Sequence, residues 1–204
     1  MIIIGRVAGY EFDVFISYSN CGSSPRWLKN HFYPKFLECL ADQIAPAPKV
    51  FMDKEMERGT HWPSKLEKAL HRSKIMLAVL TPPYFESSWC MAELRSMHAR
   101  EKVLGLAGAE VPQGLIYPIL YSDSENFPME EGLERSWWSF KELGTPELVF
   151  QECREWNTFH QEVSNIAADL VSLLKQVPEW RPDWPVVERP EPVLLREPPI
   201  PRFG

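Results

Sequence analysis

"KIMLAVLTPPYFESSWCMAEL" fills residues 74–94. Ile75 to Leu80 is an unbroken apolar run of strand length, far too short to cross a membrane. A half-exposed strand would alternate apolar and polar residues. This one does not, so it predicts a central strand of a parallel sheet, covered on both faces. Two prolines follow it, and Ser87 or Ser88 then supplies an N-cap, which predicts a helix from about Ser88 to Lys102. The stretch "SSWCMAEL" carries one carboxylate, Glu93, among mostly apolar neighbours. It is either a solvated helix charge, paired for example with Arg95, or the working group of a pocket.

The flanking sequence repeats the pattern of strand then helix. "EFDVFISYS" (11–19) reads as a buried strand, and "CGSSP" after it as a loop. Leu28, Phe32, Phe36, Leu40 and Ile44 recur every four residues, the spacing of one helix face. Pro34 lies inside that helix, and either kinks it or opens the first turn of its second half. "KVFMD" (49–53) is a second short strand, and "KEMERGTHW" (54–62) a polar loop. Trp62, Leu66, Ala69 and Leu70 give a short helix face. "GLIYPILYS" (114–122) is a further strand, whose Pro118 predicts an edge position or a bulge. "RSWWSFKEL" (135–143) holds a fifth. The last helix shows one stripe from Phe159 through Val163, Ile166, Leu170 and Leu173 to Val177. Alternating strands and helices imply a doubly wound α/β sheet.

From Pro178 onward the character changes. Eight prolines fall in residues 178–204, among charges of both signs. This predicts a detached polyproline tail, with a docking arm as the sharper alternative. The chain therefore divides into an extension (1–10), a domain (11–177) that stands without its tail, and the tail (178–204).

Composition removes several classes of function. A chain of 204 residues suits one domain and a tail. Its net charge of −6 argues against nonspecific nucleic-acid binding, which needs a basic face. Cys21, Cys39, Cys90 and Cys153 are far apart, which predicts free thiols and a reducing cytoplasm. The histidines are scattered and predict no metal site. "MIIIGRVAG" is too short for a signal peptide, and no run is long enough for a membrane span. There is no GxGxxG, no GxxxxGK[ST] and no GxSxG elbow. A phosphoacceptor domain would need Asp after the third strand, where this chain has Thr81.

Parallel sheets bind ligands at the carboxyl ends of their strands. The segments ending there are 17–24, 53–62 and 81–89. Glu93 lies just beyond the third, and Trp89, four residues earlier, shares its helix face. An ionised carboxylate near a helix N-terminus, beside an aromatic shelf, can stabilise an oxocarbenium-like transition state at a ribose. On pattern alone, a surface charge for Glu93 and core packing for Trp89 remain the plainer alternatives.

"YEFDVFISYS", "VFMDKEMERGTHW" and "LAVLTPPYFESSWCMAEL" resemble, in order and spacing, the three sequence boxes of Toll/interleukin receptor (TIR) domains. The third is the most specific, with S-S-W-C-x-x-E-L after a strand ending in T-P-x-Y. The resemblance spans about Glu11 to Val177 and implies a flavodoxin-like five-stranded parallel sheet of order 2-1-3-4-5. It implies either of two activities. Bacterial and plant-type members, and one animal axonal member, cleave NAD+ to nicotinamide plus ADP-ribose or a cyclised product. Receptor and adaptor members are noncatalytic scaffolds that bind other TIR domains, often through the BB loop after the second strand.

In the cleaving branch Glu93 stands at the catalytic position. Trp89, Ser17, Tyr18 and Ser87 stand at the substrate pocket, and Arg26 is the nearest candidate for the diphosphate. Asp53, Arg58, Gly59 and Trp62 belong to the BB loop, with Gly59 expected at a positive-φ turn. The expectation is a cytoplasmic NAD+ glycohydrolase or cyclase in immune signalling or antiviral defence. NAD+ is its substrate, and no cofactor or metal is required. Its partners would be other TIR domains, filaments included, and a protein bound through the BB loop or the Pro-rich tail; no nucleic acid and no membrane are expected. A nucleoside deoxyribosyltransferase-like enzyme shares the sheet and a glutamate but fits the first two boxes less well.

Overall fold

A computed structural model describes residues 9–53, 62–108, 113–123 and 137–187, with the side chains of 62–64 outside that set. Five parallel strands form one sheet in the order β2-β1-β3-β4-β5. They are β1 (Phe12–Tyr18), β2 (Val50–Met52), β3 (Ser73–Leu80), β4 (Ile116–Leu120) and β5 (Trp138–Ser139). β3 lies at the centre, and its two faces feed two separate cores. Ile75, Leu77 and Val79 point into one, Met76, Ala78 and Leu80 into the other, and all six are fully buried. The missing alternation in the sequence thus reflects two apolar sides.

Helices cover both faces. On one side lie α1 (Ser24–Trp27), α2 (Tyr33–Gln43) and α6 (Glu155–Leu174). On the other lie α3 (Trp62–His71), α4 (Pro82–Glu86) and α5 (Ser88–Leu104). The α6 stripe from Phe159 to Leu170 is buried, as its periodicity predicts. α5 begins at the Ser87 cap, whose hydroxyl accepts from the Cys90 amide at 3.3 Å. It ends at Gly105, whose φ of 65° is the left-handed turn that favours glycine.

Pro34 lies in the first turn of α2, after a π-helical turn over Leu28–Phe32. The Tyr33 amide closes that wide turn on the Leu28 carbonyl. The Asn30 carbonyl, which a regular helix would pair with the N–H that proline lacks, accepts from Gln151 Nε2 at 3.2 Å. Two expectations are corrected. β4 lies inside the sheet, and its register with β3 runs unbroken past Pro118. The two-residue β5 pairs with β4 only from Ile119 on, so no described neighbour requires an N–H from Pro118.

The tail does not detach at Pro178. Residues 178–187 run back over the α3 and α5 side of the sheet. Tyr10 donates to the Pro178 carbonyl at 3.0 Å, and Trp180 Nε1 to the His71 carbonyl at 3.1 Å. The Val187 amide donates to Ser96 Oγ at 3.0 Å. Trp184 is 4% exposed, and the Arg100 guanidinium stacks 5.1 Å from its ring centre. Arg100 itself is buried, and donates to the carbonyls of Ser73, Leu70 and His71. The physical reason is two tryptophans four residues apart, which offset the ordering cost that the prolines alone would not.

Trp184→Ala is expected to cost about 2 kcal/mol of stability, for the burial of one large aromatic group. Truncation after Val177 should cost more, because the Tyr10, Trp180 and Val187 contacts go with it. Urea denaturation of the two variants checks both, and an unchanged midpoint on truncation would show that the strap contributes nothing.

Candidate active site

The carboxyl ends of β1, β2 and β3 open on a cavity of about 450 Å³. This is the switch point of the sheet, where the chain winds outward from β1 to β2 and then crosses back to β3. Ser17 to Cys21 line it from the end of β1, and Asp53 from the end of β2. Pro83, Glu86 and Ser87 line it from the segment after β3, and Trp89, Cys90 and Glu93 from the first turns of α5. Side chains alternate along β1, so Phe15 and Ser17 face the α5 side while Val14 and Ile16 enter the opposite core.

That alternation brings Ser17 to Glu93. Ser17 Oγ donates to Glu93 Oε2 at 2.7 Å, and lies 3.0 Å from the hydroxyl of Tyr84. Glu93 is 6% exposed, which rules out a solvated helix charge. A carboxylate placed there is held by a charge-assisted hydrogen bond. Trp89 is half-buried against the same wall and faces the cavity, so its indole is not purely core. Tyr18 donates from its hydroxyl to the Asp53 carbonyl, tying the ends of β1 and β2 together at the mouth.

The groups around Glu93 stay protonated. Burial, and then Glu93, push the Cys90 thiol up to about 12. Burial, then Asp53, Cys90 and Glu93, push Tyr18 to about 12. Tyr84 is raised well above its usual value, first by burial. None of these three groups therefore carries negative charge near neutral pH. Among the described lining residues Asp53, Glu86 and Glu93 are acidic and none is basic.

Of the residues read from the sequence, the cavity brings together Ser17, Tyr18, Asp53, Ser87, Trp89 and Glu93. It does not include Arg26, which points to solvent with its side chain 60% exposed and pairs with Glu147 at 2.8 Å. Glu147 lies 121 positions away and reaches Arg26 only through the fold. Arg58 and Gly59 lie outside the described residues, as does the side chain of Trp62. Sequence reading missed Tyr84 and Cys90 as parts of the site. Both were visible as letters of the third box, but nothing local says that the Tyr84 hydroxyl meets β1.

The domain is thus a doubly wound α/β fold with a buried carboxylate beside the cavity at its switch point. A family model described as "TIR domain" matches residues 14–136, and the chain belongs to that family. It is similar to the disease resistance-like protein DSC2 of Arabidopsis thaliana, with 25% identity over 141 residues, 63% of this chain. The match spans only 11% of that protein's length. Among solved structures it is similar to the TIR domain of the Toll-related receptor TRR-2 from Hydra magnipapillata. That likeness has a TM-score of 0.44 and 21% identity, and covers 74% of this chain and 98% of the other. The TIR domains of the activated Roq1 resistosome recognising the effector XopQ match with a TM-score of 0.39 and 18% identity. There the coverage is 81% of this chain and 96% of the other. No helix among the described residues is long and apolar enough to cross a membrane.

The raised Cys90 thiol has a definite sign in stability. The fold favours the neutral form, so its contribution is intact below the ordinary thiol value of 9.0 and is lost as pH climbs toward about 12. Chemical denaturation across that window should show wild type losing more stability than Cys90→Ala. Equal slopes would mean that the thiol titrates alike in the folded and unfolded chains.

Proposed function

We propose that this domain cleaves the bond between nicotinamide and ribose in NAD+, releasing nicotinamide and ADP-ribose or a cyclised form. The observation that carries this reading is the Glu93 carboxylate, buried at the cavity floor with Oε2 held at 2.7 Å by Ser17. The substrate's pyridinium nitrogen is cationic. As the C1′–N bond breaks, the bonding pair moves to that nitrogen, nicotinamide leaves neutral, and positive charge passes to the ribose. A fixed anion in a half-enclosed site stabilises that charge without reorganising. Water attacking C1′ and losing a proton gives ADP-ribose, while attack by a nitrogen of the substrate's own adenine gives the cyclic product.

The acidic lining suits the oxidised dinucleotide, whose ring is positive, better than the reduced one, whose ring is neutral. Trp89 offers a flat apolar face for stacking a base. The diphosphate needs positive charge that the described lining does not supply. A second copy of the domain would provide it, which makes self-association part of this reading. A role in immune signalling is proposed from the plant disease resistance-like relative.

Concentrated protein is incubated with NAD+ and the products are separated by chromatography. Wild type should release nicotinamide. Glu93→Gln preserves size and most hydrogen bonding, but should lower the rate by about a hundredfold or more. Trp89→Ala should raise KM more than it lowers kcat, because stacking acts in the ground state as well. Glu93→Gln cleaving as fast as wild type would refute the assignment of the site. A concentrated wild type that releases no nicotinamide would leave a noncatalytic scaffold for TIR association.

A further inference from the structure

The geometry points to a directed hydrogen-bond chain, Tyr84 to Ser17 to Glu93, in which Tyr84 acts through Ser17 as a positioning residue for the carboxylate. It deepens the reading of Glu93 as the group that meets the ribosyl cation, and rests on that reading for its kinetic consequence.

The direction follows from counting protons. An ionised carboxylate can only accept, so at 2.7 Å the Ser17 hydroxyl must donate to Glu93 Oε2. Serine has one such proton. In the 3.0 Å contact with Tyr84, Ser17 Oγ must therefore accept and the phenol must donate. Tyr84 is fully buried, and Ser17 is 1% exposed, so water does not compete for either hydroxyl. Each donor polarises the next, and the last bond to the anion is strengthened by the first.

The anchor of the chain is backbone. Thr81, the residue after β3, caps α4 by accepting from the Tyr84 amide at 3.2 Å. Tyr84 also packs edge-on against Phe85 and belongs to the core under α5. The chain thus joins three segments, α4 after β3, β1 and α5, at the point where the cavity floor needs a fixed charge. Without Tyr84, Ser17 would lose the donor that fixes its hydroxyl toward Glu93.

The test is a double-mutant cycle on the full chain. Ser17→Ala should lower kcat by about a hundredfold, and Tyr84→Phe by roughly tenfold, the worth of one removed hydrogen bond. KM should stay within about twofold in both. The double variant should be no slower than Ser17→Ala alone, because Tyr84 acts only through Ser17. Ser17→Thr, which retains the hydroxyl, should recover most of the rate. Thermal melts confirm that each variant is folded.

A second readout needs no substrate. In a carboxyl-carbon NMR titration, the Glu93 midpoint should move up in Ser17→Ala and, by less, in Tyr84→Phe. Losses that multiply in the double variant would overturn the proposal, as would a silent Tyr84→Phe or an unmoved Glu93 midpoint. If wild type cleaves no NAD+ while the midpoint shifts as expected, the chain stands and the proposed reaction falls.

Discussion

The fold depends on β3 being apolar on both faces. A strand with two dry sides cannot sit at an edge or against water, so it takes the middle of the sheet and needs a helical layer on each flank. Everything at the site inherits its position from that demand. β1 must lie beside β3, which carries Ser17 to the cavity floor. The chain must leave the carboxyl end of β3 by a turn, which places Tyr84 under α5 and Glu93 above Ser17. The carboxylate is buried because the strand beneath it is.

This also explains which parts of the protein are legible in sequence. β3, α5 with its Ser87 cap, and the α6 stripe are set by neighbours within a few residues, so periodicity and capping chemistry reveal them. Glu93 as a candidate was equally legible, through Trp89 four residues before it. Its burial was not, because the hydrogen bond responsible joins residues 76 positions apart. Arg26 fails for the same reason in reverse. It stands close in sequence to the pocket loop, yet its partner Glu147 arrives from the far side of the fold. Pro118 misled because proline is judged by the N–H it lacks, and whether that donor is missed depends on how short the neighbouring strand is.

Prolines also hid the strap. Composition averaged over residues 178–204 reads as unfolded chain, but averages conceal Trp180 and Trp184, which both meet the α3 and α5 side. Arg100 shows the opposite concealment. As one charge in the middle of α5 it looks like a solvent-facing residue. It is 1% exposed, and joins the end of α3, the start of β3 and the Trp184 ring.

The strap has a thermodynamic consequence for anything that would dock on the outer surface of α5. That face already has an intramolecular occupant, tethered by a short connection to α6 and present at a high effective concentration, of order millimolar for such a tether. A rival for the Ser96 and Arg100 surface binds only the fraction of molecules in which the strap has lifted, so its apparent affinity is divided by the closed-to-open ratio. Weak competitors are excluded without any steric gate, and a strong one would report its arrival by releasing Trp184 into water.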